Sequence, residues 1–284
     1  RDILAVLTAG LRRKLRAAGC RGLAIAVGEP TQCDRGLEVN SSKNRYTLTQ
    51  NVPSINAAIL THPPRTETRD EIMTTIGQVE RTCALCGKTS EQMTLGSTNA
   101  MGAPDLDLRP PEMQRSTMYL WIEHCVHCGY TNNRIDLAVV GAEAVLPAQK
   151  KPEQALSLID QFLTASRVAE LTGDMTQAAN YALCAAWAAD DKEETDTAGH
   201  CRKRALVCFN TAMDAPEADP EERLHTRVRM VDLLRRCRDW GAASQLAQEI
   251  ITEGADGVIS DVVRFQLKLC KQGDANCYTV ADIE

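Results

Sequence analysis

Two pairs of cysteines carry the clearest chemistry in the chain. They are Cys83-Ala84-Leu85-Cys86-Gly87-Lys88 and Cys125-Val126-His127-Cys128-Gly129-Tyr130. A C-x-x-C turn aims two sulfurs at one point. The glycine that follows lets the backbone bend so that amide N–H groups reach those sulfurs. One such turn is ambiguous with a redox dithiol. Two turns of the same form supply four thiolates, the donor set of a closed tetrahedral metal site. The ligands read from the spacing are therefore Cys83, Cys86, Cys125 and Cys128. Zinc is the expected ion, because thiolates bind it tightly and it has no redox chemistry. Iron in a rubredoxin-like site is the alternative, since rubredoxins carry similar knuckles. Two independent redox or disulfide pairs form the other competing reading.

Four sulfurs saturate a tetrahedral ion and leave no position for water, so the expected site is structural rather than catalytic. Lys88 and backbone amides are expected to offset part of its negative charge. His127, between two cysteines, is expected to point outward, and His124 to be an exposed strand-end residue. No catalytic residues are assigned. The chain has no G-x-x-x-x-G-K, G-x-S-x-G or H-E-x-x-H.

Other cysteines argue about compartment. The chain holds 12, and several sit on apolar helical faces, where a free thiol acts as a small hydrophobe. Arg12, Arg13, Lys14 and Arg16 interrupt any apolar signal core near the start. A reducing, cytoplasmic location is expected. No stretch of about 20 apolar residues is present, so no membrane partner is expected.

The metal turns need strands to hold them, and residues 73–150 read that way. Thr74–Val79 leads into the first pair, and Met118–Ile122 is a β-prone run before the second. Between them lies a turn-rich connection, including Gly102-Ala103-Pro104-Asp105-Leu106-Asp107-Leu108-Arg109-Pro110-Pro111. Its Asp–Arg pairs are expected to pin an ordered loop to the ribbon. A recognition surface or a carboxylate pair for acid/base work is the functional alternative.

Residues 151–284 follow after Lys150-Lys151-Pro152 and show helical periodicity. Leu156, Ile159 and Leu163 form one stripe. Ala178, Ala182, Ala185 and Ala189 form another, with Trp187 beside it. Cys201, Ala205, Cys208 and Ala212, then Val258, Val262, Phe265 and Leu269, repeat the pattern. Six helices joined by short loops result, read as three hairpins. The stretch Glu170–Ala178 and its looser echo Arg236–Ala243 resemble tetratricopeptide grammar, while a generic helical bundle is equally compatible. Trp187 and Phe209 are expected in the core. The arginines Arg202, Arg204, Arg223, Arg227, Arg229, Arg235, Arg236 and Arg238, with Lys203, are read as a solvated helix face.

Residues 1–72 are poorly patterned, net basic and without Met, whereas the rest contains all eight. They are expected to be a disordered arm or an upstream extension of a protein starting at Met73. A small basic domain is the competing reading.

The fold class expected is therefore α+β: a small β-rich zinc ribbon, 73–150, followed by an α-helical hairpin-repeat region, 151–284. With 284 residues and 44% apolar content the chain can bury a sizeable core. Its 32 basic and 38 acidic residues give −6, and aromatics are only 4%. Both features argue against nucleic acid as partner.

The run from Cys83 to Tyr130, with Pro104-Asp105-Leu106-Asp107-Leu108-Arg109-Pro110 between the knuckles and Ala185-Ala186-Trp187 downstream, resembles an uncharacterised bacterial zinc-ribbon family with a tetratricopeptide-like tail. The resemblance covers roughly residues 78–215 and departs at Val126, where the family often has Pro. It implies the four cysteine ligands and no known activity. The resulting expectation is a non-enzymatic cytoplasmic adaptor that binds a protein partner. An iron electron carrier, a nucleic-acid-binding ribbon and a thiol redox enzyme are the rivals.

Overall fold

A computed structural model of the chain describes residues 74–146, 156–214 and 219–283. The expectations about residues 1–72 and about Lys150-Lys151-Pro152 lie outside the described residues.

Each cysteine turn closes a strand pair. β1 (Thr75–Thr82) and β2 (Thr89–Ser97) pair antiparallel, in register from Thr82 opposite Thr89 to Ile76 opposite Leu95, beyond which a register shift puts Thr75 opposite Ser97. The first cysteine turn is their connection. Thr, Ile and Val suit the pleated surface. Threonine hydroxyls also bond across the pair, Thr82 to Thr89 at 3.0 Å. β3 (Glu123–His124) and β4 (Thr131–Asn132) repeat the arrangement in miniature around the second turn.

Met118–Ile122 does not form the expected strand. Arg115–Leu120 is a 3₁₀ helix. Met118, Leu120, Trp121 and Ile122 are all buried, so burial here does not alternate as a half-exposed strand requires. Local hydrogen bonds favour the turn: Thr117 Oγ1 donates to the Gln114 carbonyl at 2.7 Å and accepts from Trp121 Nε1 at 3.1 Å. Tertiary packing and these bonds outweigh the β-propensity of the run.

Six α-helices follow among the described residues: α1 (Leu158–Leu171), α2 (Met175–Asp190), α3 (Thr195–Met213), α4 (Pro220–Arg236), α5 (Trp240–Thr252) and α6 (Gly257–Gln272). Their starts follow capping chemistry. The side chains of Ser157, Asp174 and Asp239 accept from the amides of Asp160, Gln177 and Ala242. Pro220 opens α4, where its missing N–H costs nothing. Gly173, at φ 78°, turns the chain between α1 and α2.

The helices do not separate into three isolated hairpins. α2 packs extensively on both α1 and α3, and α5 on both α4 and α6. The alanine stripe explains the first of these. Ala178, Ala182, Ala185 and Ala189 have no exposed surface, so neighbouring helices approach α2 closely from both sides. Phe162, Trp187 and Phe209 fill the same core, as expected for the two residues singled out from the sequence. Cys184, Cys201, Cys208 and Cys270 are buried in it or in helix faces nearby.

Several contacts tie the β-rich part to the helices and to the segment after them. Val168 of α1 joins the cluster of Cys83, Cys125, Tyr130 and Ile135. The segment after α6 folds back over the inter-knuckle connection: Leu106 N–H donates to the Tyr278 carbonyl, and Val280 N–H to that of Pro104, both at 2.9 Å.

Phe162 is fully buried, 6.3 Å from the Tyr181 ring. Phe162→Ala is expected to destabilise the protein by about 3–5 kcal/mol, read from urea denaturation midpoints at constant m-value.

Candidate metal centre

The two cysteine turns share one hydrogen-bond plan. Cys83 N–H donates to the Lys88 carbonyl and Gly87 N–H to that of Cys83, both at 2.9 Å. In the second turn Cys125 N–H donates to the Tyr130 carbonyl at 2.8 Å, and Gly129 N–H to that of Cys125 at 2.9 Å. Gly87 and Gly129 have φ of 68° and 81°, the left-handed region in which a Cβ is penalised.

These turns bring the four sulfurs together. Cys83, Cys86, Cys125 and Cys128 place their Sγ atoms within 4.8 Å of one another, a group able to hold a metal ion. Two close separations run between the turns, 3.7 Å from Cys83 to Cys128 and 3.6 Å from Cys86 to Cys125. A tetrahedron with metal–sulfur bonds of about 2.3 Å has edges of about 3.8 Å, so the cluster has the right size. No described cysteine is in a disulfide.

Backbone amides reach the sulfurs. The Lys88 amide bonds the Cys86 sulfur, those of Cys128 and His127 bond Cys125, and that of Tyr130 bonds Cys128. Burial pushes the Cys125 and Cys128 thiols up. At Cys86 the Lys88 amide and the neighbouring thiols outweigh burial, and its pKa falls.

The surroundings are built to keep the turns in place. Tyr130 is fully buried, and its hydroxyl donates to the Leu137 carbonyl at 2.7 Å. Glu123, also buried, accepts from Arg81 Nε on β1 and from the Ile135 amide, each at 2.9 Å. It therefore joins the two strand pairs. Nothing in its spacing singles Glu123 out, because its partners lie on other elements. His127 is exposed, near the Thr89 carbonyl at 3.3 Å, and is not among the clustered donors. His124 is half-buried rather than exposed. Its Nδ1 is 2.9 Å from Thr131 Oγ1, and burial lowers its pKa.

The Asp105–Arg109 loop is ordered, but it is pinned mainly to the helices and not to the ribbon. Asp105 pairs with Arg115 at 2.7 Å. Asp107 is fully buried and accepts from Trp187 Nε1 at 2.8 Å, with Arg236 of α4 at 3.5 Å. Arg109 Nη2 donates to both carboxylate oxygens of Asp191 at 2.6 Å. Leu108 sits between them at φ 67°, a conformation that a leucine adopts only when its surroundings impose it. Burial and the nearby Asp107 charge raise the pKa of Asp105 against the pull of Arg115.

The arginines do not form a solvated face. Arg202, Arg229 and Arg235 are buried. Arg202 pairs with Asp190, which also receives Arg236 at 3.0 Å, and Arg235 pairs with buried Asp232 at 2.6 Å. Arg229 lies 4.9 Å from the centre of the Phe209 ring. Buried guanidiniums require such partners. Of these pairs only Asp232–Arg235, three residues apart, was within reach of a sequence pattern.

No family model, curated protein or solved structure matches the chain. The resemblance noted above therefore rests on the residues themselves: the clustered cysteines and the helical C-terminal region.

Two outcomes follow from this geometry. Protons compete with metal for the two thiols that burial raises, so metal affinity is expected to climb with pH. The rise should be about tenfold per unit for each thiol still protonated, checked by competition with a chromogenic chelator. A Cβ on Gly87 meets no atom within 4 Å, so Gly87→Ala should cost only the left-handed backbone penalty, about 1 kcal/mol, and Gly87→Asn less. Denaturant titration of the metal-loaded protein measures both.

Proposed function

We propose that the chain is a zinc-binding, non-enzymatic interaction protein. In this reading Cys83, Cys86, Cys125 and Cys128 hold one structural zinc ion, and the helical region serves as an adaptor surface for a protein partner. The observation that carries the reading is the four-sulfur cluster, whose inter-turn spacings match the edges of a zinc–thiolate tetrahedron. All four positions around the ion would be taken by sulfur, so the metal would supply rigidity and no vacant position for a substrate. When bound it would tie β1–β2 to β3–β4, contributing folding free energy on the order of 10 kcal/mol. The tetratricopeptide-like character of the helices, and a bacterial cytoplasmic setting, belong to the same proposal.

Metal analysis of the purified protein tests it. About one equivalent of zinc per chain is expected, with Cys125→Ser falling below about half an equivalent. A coloured preparation whose visible absorption bleaches on reduction would move the site to iron and to electron transfer. Full zinc occupancy in Cys125→Ser would remove the shared site altogether.

A further inference from the structure

The helical array holds an extended segment of its own chain. The inter-knuckle segment 104–110 lies against elements that alternate along the chain, α2, α4 and α6. Leu106 is buried with Val262 and Leu269 of α6. Asp107 accepts from Trp187 of α2 and faces Arg236 of α4. Arg109 reaches Asp191 at the end of α2. The main chain is held as well. Leu106 and Pro104 exchange hydrogen bonds with Tyr278 and Val280 of the C-terminal segment, and Asp105 and Thr279 form an antiparallel bridge. Main-chain pairing to an edge with side chains dropped into separate pockets is how proteins bind extended peptides.

The pockets have a definite chemistry. An indole N–H and a guanidinium meet one carboxylate that has no solvent exposure. An aliphatic pocket precedes it, and an exposed carboxylate meets the arginine two positions later. Removing the segment would strand the Trp187 donor, so any replacement has to bring an equivalent carboxylate.

We propose that the surface formed by α2, α4, α6 and the C-terminal segment is a peptide-binding face. It selects extended segments reading aliphatic–Asp–x–Arg, and Pro104–Pro110 occupies it in cis as an intramolecular ligand. A partner of the chain would reach this face by presenting the same pattern in trans and displacing the chain's own copy. This deepens the adaptor reading and is independent of which metal the cysteines hold.

Two experiments on the full chain test it. In the unaltered protein, hydrogen exchange should show the Leu106 and Val280 amides opening together, at least tenfold faster than those of mid-α2 such as Ala185. Equal rates would mean that the segment leaves only on global unfolding, which overturns the proposal. In the second, a fluorescein-labelled peptide of residues 102–110 is titrated into the protein. Asp107→Asn with Arg109→Ala, which loosens the cis segment, should bind it at least tenfold more tightly than the unaltered chain. Adding Trp187→Phe should abolish that gain, and a peptide with Asn at both Asp positions should not bind. Absence of peptide binding to a loosened variant with unaltered circular dichroism and metal content overturns the proposal. Should that variant fail to fold, the exchange experiment decides. A protein partner that binds without displacing the peptide leaves the adaptor reading standing and overturns this one.

Discussion

Four sulfur atoms converging from two distant turns are the constraint on which the β-rich part depends. β3 and β4 have two residues each, and an isolated two-stranded pair, even one as long as β1–β2, is marginal in water. What unites them is the space between Cys83, Cys86, Cys125 and Cys128, seconded by the Arg81–Glu123 pair and the Glu123–Ile135 bond. The hydrogen bonds inside each turn are the same, so the two halves meet with matched geometry. A shared ion is the natural way to hold two such halves together.

The second organising feature is buried charge. Asp107, Asp232, Arg202, Arg229 and Arg235 are all nearly or fully inaccessible. Charges of this kind are stable only with partners in place, and losing one partner is more costly than never having had the pair. They therefore act as registration marks. Asp107 matches the inter-knuckle connection to α2 and α4, while Asp190 matches α3 to α4 through Arg202 and Arg236. Arg235 additionally donates to the Asp274 carbonyl at 2.7 Å and so fixes the segment after α6. The polar interface orders the same excursion that the cysteine turns bracket, so the ribbon and the helices constrain one stretch of chain from opposite sides.

The alanine-rich α2 occupies the centre of this scheme. It is almost entirely buried, which its composition allows because small side chains admit neighbours on every face. At its C-terminal end, Trp187, Asp190 and Asp191 all bond to other elements. One helix thus serves both as core and as the floor beneath the Asp107 carboxylate.

The residues alone were enough to mark the cysteine turns, because C-x-x-C-G has a short-range geometric meaning that needs no tertiary context. They also marked the six helices, whose apolar spacing and capping residues are local signals, and the burial of Trp187 and Phe209. They misplaced Met118–Ile122, since its β-propensity gives no sign of the Thr117 hydrogen bonds and packing that wind it into a 3₁₀ turn. They misread Arg202, Arg229 and Arg235 as solvated, because the Asp190 partner of Arg202 and the Phe209 ring beside Arg229 lie on other helices, and even the nearby Asp232–Arg235 pair is buried only by what packs over it. Folding alone decided that the Asp105–Arg109 stretch would lie on helices that come some 80 positions later. Pairing across such separations depends on which surfaces meet, and local propensity carries no record of that.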